Sequence, residues 1–403
     1  MAFLGDFRQV PNTHGEARAH CHLVTGESSK KLARRLNARQ FDAYSQEPPT
    51  RPEWTAARAG LVAVSVALML LVAIAFVTGL VLVLQDFPSL SIVPGVLLIA
   101  IAWTLRPRVG RAGTNEWAII TRDDAPALFT LIDRVAAATG APQPHHVALD
   151  YEFNASAGIF GLRRKRQLVL GLPLWGILRP QQRVALLGHE FGHFVNNDSA
   201  RGLLTQSALT TPGAIAYLLT PAESLTGGPL TAVAEAVLRP IQRLLSRLFV
   251  LMQVGLIAVA SRDHQRAEYC ADAMAVRLAG TEATVALMHY LMAGEQLLGA
   301  VSTVERGIHS NPKTAKNHPG VAPWRAAADQ TRSQFDLPAL LEKSIEEDAS
   351  LWSEHPPSGL RARIVESWPH AEPSLVLTQE DSDKIDAELQ RYYAKAGRDL
   401  VWS

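Results

Sequence analysis

The sequence predicts a mainly helical α+β chain, in which a membrane-spanning helical hairpin precedes a domain of helices around a small β-sheet. Three observations predict it. Residues 61–84, "LVAVSVALMLLVAIAFVTGLVLVL", carry no charge, and a second apolar run, "IVPGVLLIAIAWTL", follows at 92–105. From residue 115 the composition becomes that of a water-soluble domain. There, helical periodicity dominates, and only "HHVALD" and "QLVLGLPL" have strand character.

The bulk numbers narrow the classes. With 403 residues the chain is long enough for two or three domains. Its 39 basic and 38 acidic residues balance, which excludes the basic excess of a nucleic-acid binder. No P-loop and no dinucleotide fingerprint occurs, so no nucleotide is expected. Two cysteines, Cys21 and Cys270, cannot build a disulfide framework and fit a reducing compartment. A mean hydropathy of +0.05 in a chain with long polar stretches means that apolar residues are concentrated.

The elements follow in order. Residues 1–58 are polar, with Lys30, Lys31, Arg34, Arg35 and Arg39 clustered before Pro48, Pro49 and Pro52; they read as a partly disordered cytoplasmic tail. Residues 59–108 read as the hairpin, with spans at about 61–84 and 88–105, since a bilayer core takes roughly 20 apolar helical residues. Basic residues flank it on both outer sides (Arg51 and Arg58 before, Arg106, Arg108 and Arg111 after), while the link carries Asp86. The positive-inside rule therefore places both ends in the cytoplasm, giving a multi-pass protein of the cell membrane with its N-terminus and its main domain on that side.

Residues 112–370 form the main domain. "TRDDAPALFTLIDRVAAATGAPQP" reads as a helix capped by Asp123 or Asp124 and stopped by Gly140 and Pro142. Between the two strand-like runs, "YEFNASAGIFGLRRKR" reads as a turn-rich link. Residues 179–201 read as a helix with Pro180 in its first turn. An insertion at about 202–260 is membrane-associated: Arg239, Arg243 and Arg247 line one helical stripe opposite leucines. A pair of helices lying on the membrane is favoured there, with a second hairpin as the alternative. Residues 261–280 read as an alanine-rich helix, "RGIHSNPKTAKNHPGVAPW" as a loop, "EHPPSGLRARI" as the opening of a helix, and 371–403 as a C-terminal surface helix.

The chemistry sits in "GHEFGH", residues 188–193. On a helix, four residues of separation place His189 and His193 on one face, able to converge on one ion. Zinc takes such nitrogen ligands and keeps a position for water in catalytic sites. Glu190, beside the first histidine, is placed to take a proton from that water, whose pKa zinc lowers toward about 7. The spacing also arises by accident, so context matters. A separate apolar stripe, Val184, Leu187, Phe191 and Val195, leaves the histidines unneeded for packing. Gly188 and Gly192 each cost a helix about 1 kcal/mol relative to alanine, which points to close approach of a neighbouring element or a substrate. A metzincin would continue with glycine and histidine where Asn196 and Ser199 stand, so that class is excluded. The alternative third ligand is a glutamate from a later helix, a gluzincin-type site. "EYCAD" offers Glu268, with Asp272 four residues on as the group orienting a ligand histidine.

The ordered set of these pieces resembles the integral-membrane zinc metallopeptidases of the HtpX and CAAX-prenyl-protease type. The matching pieces are "HEFGH", Asp198 after it and "EYCAD"; upstream lie "FNASAG" and "QLVLGLPL", and downstream "HPPSGLR". They cover roughly residues 115–363 plus the hairpin. The resemblance implies a zincin-type fold with one Zn2+ per chain, held by His189, His193 and Glu268, with Glu190 as general base and Asp272 behind the ligands. His355 and Arg361 resemble a pair lying near the substrate carbonyl, and His318, also followed by proline, is a weaker rival for His355. Asn154 would lie near the edge where an extended peptide adds as a strand, with "QLVLGLPL" as that edge. The "NASA" form departs from the family's aromatic-containing segment, and the long polar N-terminal tail is unusual for it. Neither His20 and His22 nor His145 and His146 has a metal-binding partner in the sequence.

The implied function is a membrane-anchored zinc endopeptidase acting on polypeptides in or on the lipid bilayer, by resemblance misfolded ones. Two alternatives remain at this point. One is an inactive zinc-fold scaffold or regulatory binding protein; the other is a processing peptidase of narrow specificity.

Overall fold

After Arg58 no charged side chain interrupts the chain until Asp86, and helix is the structure that satisfies such a backbone without water. A computed structural model describes residues 31, 33–49, 55–85, 89–106, 118–160, 165–196, 198–221, 229–347 and 355–402. Helix α1 spans residues 33–44. The apolar hairpin is α2 (Ala56–Leu84) and α3 (Ile92–Leu105). Thr55 caps α2, its hydroxyl accepting from the Arg58 N–H at 3.1 Å. Gly79 and Gly95 let the two helices touch: a Cβ on either would lie 2.8 Å from the other's carbonyl oxygen. The second apolar run is helical over 14 residues, shorter than the span expected from 88.

The main domain follows with β1 (Ala118–Ile120), α4 (Pro126–Thr139), β2 (His146–Asp150), β3 (Ala155–Phe160) and β4 (Lys165–Gly171). The strand order is β1-β2-β4-β3, with β2 and β4 parallel and both outer pairs antiparallel. This corrects two expectations. The turn-rich link contains the strand β3, and β3 is the edge; the "QLVLGLPL" strand is interior. The first turn of α4 is capped from afar: neither Asp123 nor Asp124 is the cap, and Glu388 near the C-terminus accepts from the Ala127 and Leu128 N–H groups. Gly140 ends α4 as expected, in the left-handed conformation at φ 70°.

The helices then run as α5 (Leu172–Ile177), α6 (Pro180–Asn196), α7 (Asp198–Leu218) and α8 (Pro229–Ala279), followed by α9 (Thr281–Met292) and α10 (Gly294–Ser310). The chain closes with α11 (Pro312–Lys316), α12 (Ala322–Arg332), α13 (Leu337–Glu347), α14 (Ser358–Ser367) and α15 (Gln379–Trp402). The expected loop from residue 306 is largely helical, and the expected alanine-rich helix is the last third of α8, a single helix of 51 residues. It ends at Gly280, whose φ of 85° stops it. Helices α7 and α8 pair antiparallel and pack along α2. Gln253 donates to the Leu209 carbonyl at 2.9 Å and Ser246 to that of Ala216 at 2.9 Å. Among the described residues, two helices are long and apolar enough to cross a membrane, Ala56–Leu84 and the Glu235–Ala279 part of α8.

The core lies between the sheet and α4, α6 and α15. Leu128, Ile132, Leu149, Leu168, Val184, Leu187 and Phe191 meet Leu389 and Tyr393 there, all buried. The C-terminal helix lies at the surface as expected, with one face built into the core. Its Asp386 accepts from the fully buried Arg183 of α6 at 2.6 Å, from Arg325 of α12 at 2.5 Å and from the Tyr393 hydroxyl at 2.8 Å. A buried cation needs such a partner, so α15 fixes the start of α6.

Candidate metal centre

Helix α6 is buried nearly throughout from Gln182 to Phe194. Its glycines explain how its motif face comes to meet α8. A Cβ on Gly188 would lie 3.0 Å from the Ala275 Cα, and one on Gly192 2.7 Å from the Ala271 Cα. Glycine at i, i+4 on one helix thus opposes alanine at i, i+4 on the other, and the backbones close to a distance that no larger pair permits. Of the two explanations the sequence leaves for these glycines, the neighbouring element accounts for the geometry. The apolar stripe behaves as expected at Val184, Leu187 and Phe191, while Val195 is exposed.

This contact brings His189, His193 and Glu268 together, with one ligand atom from each within 4.8 Å of the others. The closest separations are 3.2 Å between the two Nε2 atoms, 3.6 Å from His189 Nε2 to Glu268 Oε2 and 3.4 Å from His193 Nε2 to Glu268 Oε1. Tetrahedral bonds of 2.0–2.1 Å to one zinc put ligand atoms about 3.3 Å apart. Glu268 is fully buried, and its Oε1 has no hydrogen-bond partner among the described residues. A buried carboxylate with one oxygen left without a hydrogen-bond partner beside the His193 and His189 imidazoles is an incomplete arrangement that a cation completes. The nitrogen and oxygen donor set fits zinc.

Around this cluster a layer of partners sets orientation. His189 Nδ1 donates to Asp272 Oδ1 at 2.9 Å, which leaves its Nε2 lone pair toward the cluster. Arg361 of α14 donates from Nε to Asp272 Oδ2 at 2.9 Å. Burial works to lower the arginine's pKa, but the Asp272 charge beside it holds it above its ordinary value. Arg361 is only 4% exposed. Its Nε and Nη2 are taken up by Asp272, while its Nη1 lies 3.9 Å from Glu268 Oε2, beside the cluster. His355 is placed differently, a third exposed, with Nδ1 2.6 Å from Glu268 Oε2.

Glu190 is buried on α6 between the two histidines, 4% exposed. Asn154 stands at the foot of β3, where its carbonyl accepts from the Gly171 N–H at 2.8 Å. His318 is taken up elsewhere, 3.0 Å from the buried Glu305. His145 Nδ1 accepts from the Arg166 N–H. His20 and His22 lie outside the described residues, as does the side chain of Asp198. One neighbour is absent from the sequence reading: His264, half exposed, has its Nε2 4.0 Å from Glu268 Oε1. Its position four residues before Glu268 on one helix was the available signal.

The profile of peptidase family M48 matches residues 123–369, more than half of the chain. The chain belongs to this family. It is similar to a protein named Protease HtpX homolog from Syntrophobacter fumaroxidans, at 26% identity over 264 residues. That match covers 62% of this chain and 78% of the relative. No solved structure matches. The M48 match ends before α15, so the helix that holds Arg183 lies outside the family's shared region.

Proposed function

We propose that this M48 chain is a membrane-anchored zinc endopeptidase with its active site on the cytoplasmic side. The observation that carries the reading is the buried Glu268, whose partnerless Oε1 lies 3.4 Å from His193 Nε2 and whose Oε2 lies 3.6 Å from His189 Nε2, separations that suit one tetrahedral ion. His189, His193 and Glu268 would hold the metal. Bound zinc supplies Lewis-acid chemistry, polarising the scissile carbonyl and acidifying water. Glu190 takes the water's proton and passes it to the leaving amine. His355, at the rim, donates a hydrogen bond to the oxygen that gains charge, while Arg361 and Asp272 keep His189 in its ligating tautomer. An extended peptide would add to the outer edge of β3, which has no strand partner among the described residues, with Asn154 at the start of that edge.

The hairpin α2–α3 anchors the chain, and packing of α7 and α8 along α2 favours a second hairpin over a pair lying flat. Substrates are polypeptides of the membrane or its surface, misfolded ones by the family resemblance.

The test compares wild type with Glu190→Gln, both purified in detergent. Zinc in both, with cleavage of casein or self-cleavage only in wild type, is the expected result. Zinc in both and cleavage in neither leaves the scaffold reading standing instead.

A further inference from the structure

Helix α1 has two unlike faces. On one, Ala33 and Leu36 are buried with Ile257 of α8. Further along, Asn37 Oδ1 accepts from Gln265 at 2.7 Å, and the Tyr44 ring lies 5.5 Å from that of Tyr269. The partners rise in order along α8, so α1 climbs that helix and its first turn sits where the apolar part of α8 ends. The other face is basic. Lys31, Arg35 and Arg39 fall at i, i+4 and i+8, one stripe of a helix, with Arg34 beside them, and all four are exposed. No acidic residue occurs from 31 to 41. Three further arginines share this end of the apolar helices: Arg58 in the first turn of α2, Arg106 just past α3 and the exposed Arg262 five residues beyond Ile257.

We propose that the basic stripe of α1 binds anionic phospholipid headgroups at the bilayer edge. This rests on the membrane reading above. The apolar face of α1 is already docked on α8, so the helix has no free face to insert into lipid. The cations are spread along a helix rather than gathered into a cradle, so they do not enclose a single small anion, and the membrane-proximal ones, Lys31, Arg34 and Arg35, are the ones within reach of headgroups. Each cation beside an anionic leaflet contributes about fivefold to association. Because α1 climbs away from the membrane at about 1.5 Å per residue, Arg39 lies about 12 Å farther out than Lys31. That exceeds the screening length of about 10 Å at 0.1 M salt, so Arg35 contributes more than Arg39.

The experiment uses the full chain in nanodiscs of phosphatidylcholine alone or with phosphatidylglycerol, read by amide hydrogen exchange over residues 33–44. Phosphatidylglycerol slows exchange there several-fold. The protection disappears in 0.5 M salt and in Arg34→Gln/Arg35→Gln/Arg39→Gln, persists when the same three become lysine, and falls further in Arg35→Gln than in Arg39→Gln. Equal exchange in the two lipids, or protection that survives in the triple glutamine variant, overturns the proposal. So does equal protection by inorganic phosphate in phosphatidylcholine discs, which assigns the stripe to a soluble anion. Exchange over residues 61–84 reports the membrane reading separately: those amides stay protected in both discs if α2 spans, whatever α1 does. Unchanged exchange over 126–139 shows that the variants are folded.

Discussion

Gly192 of α6 packs directly on Ala271 of α8, at a separation with no room for a methyl group on the glycine. Two residues with no chemistry of their own therefore set the distance between the His189/His193 pair and Glu268. Gly192→Ala should force the helices apart and lower stability by about 1–3 kcal/mol, the usual cost of overpacking. Zinc content should fall with it, measured by metal analysis of the purified protein. Full zinc at an unchanged unfolding midpoint would show that this contact does not set the site.

Glu268→Ala should abolish zinc retention, because two histidines alone make an incomplete site. It removes the buried carboxylate at the same time, so loss of metal need not be accompanied by loss of fold. Metal analysis after dialysis decides it. Wild-type zinc occupancy in this variant sinks the three-ligand assignment.

Asp272→Asn separates orientation from ligation. Zinc affinity should drop about 10–100-fold, as for other groups that hold a ligand histidine. Stability should fall by about 3–5 kcal/mol, because Arg361 becomes a buried cation without its counter-charge. Adding Arg361→Gln should recover part of the stability and none of the affinity. If the double variant regains zinc affinity, Asp272 acts through Arg361 and not through His189.

The clamp at Asp386 makes a prediction about a helix beyond the family match. Asp386→Ala leaves Arg183 and Arg325 without their shared carboxylate and should cost about 3–5 kcal/mol. A denaturation midpoint within error of wild type would mean that α15 does not secure α6.

Metal removal offers a check that needs no variant. Chelation should lower the unfolding midpoint and abolish peptidase activity, and zinc should restore both, since an ion bound only to the folded state stabilises it in proportion to the logarithm of its free concentration. An identical melting curve with and without chelator argues that the cluster is not occupied in the native protein.

The local half of the site was legible because it is encoded by spacing. His189, Glu190 and His193 share one helical stretch, and Glu268 with Asp272 repeats the four-residue interval on another. The hairpin was legible because absence of charge over residues 61–84 has few structural alternatives. What escaped was set by contacts between distant segments. The cap on α4 is Glu388, some 260 positions away, and no local pattern announces it. That the amphipathic C-terminal helix builds one face into the core shows only where Tyr393 and Asp386 meet α6. The strand β3 hid in a stretch of alanine, serine and glycine, residues that form strands only because β4 offers a partner. The motif spacing brings His355 and Arg361 to the same carboxylate, Glu268, but the partnership of Arg361 with Asp272 depends on α14 docking against α8, which no local pattern announces.

Beyond Pro240, α8 runs as one continuous helix to Ala279. Between Ile241 and Ala279 it contains no proline, and the same helix carries the exposed leucines at 244, 245, 248 and 251 and the buried Glu268. Across that length Gly255 is the one residue without a side chain, so few positions can absorb a movement. If α8 spans the membrane as proposed, a tilt of its leucine-bearing half would swing the carboxylate relative to the two imidazoles on α6. In that arrangement the anchor would double as a lever arm on the metal centre.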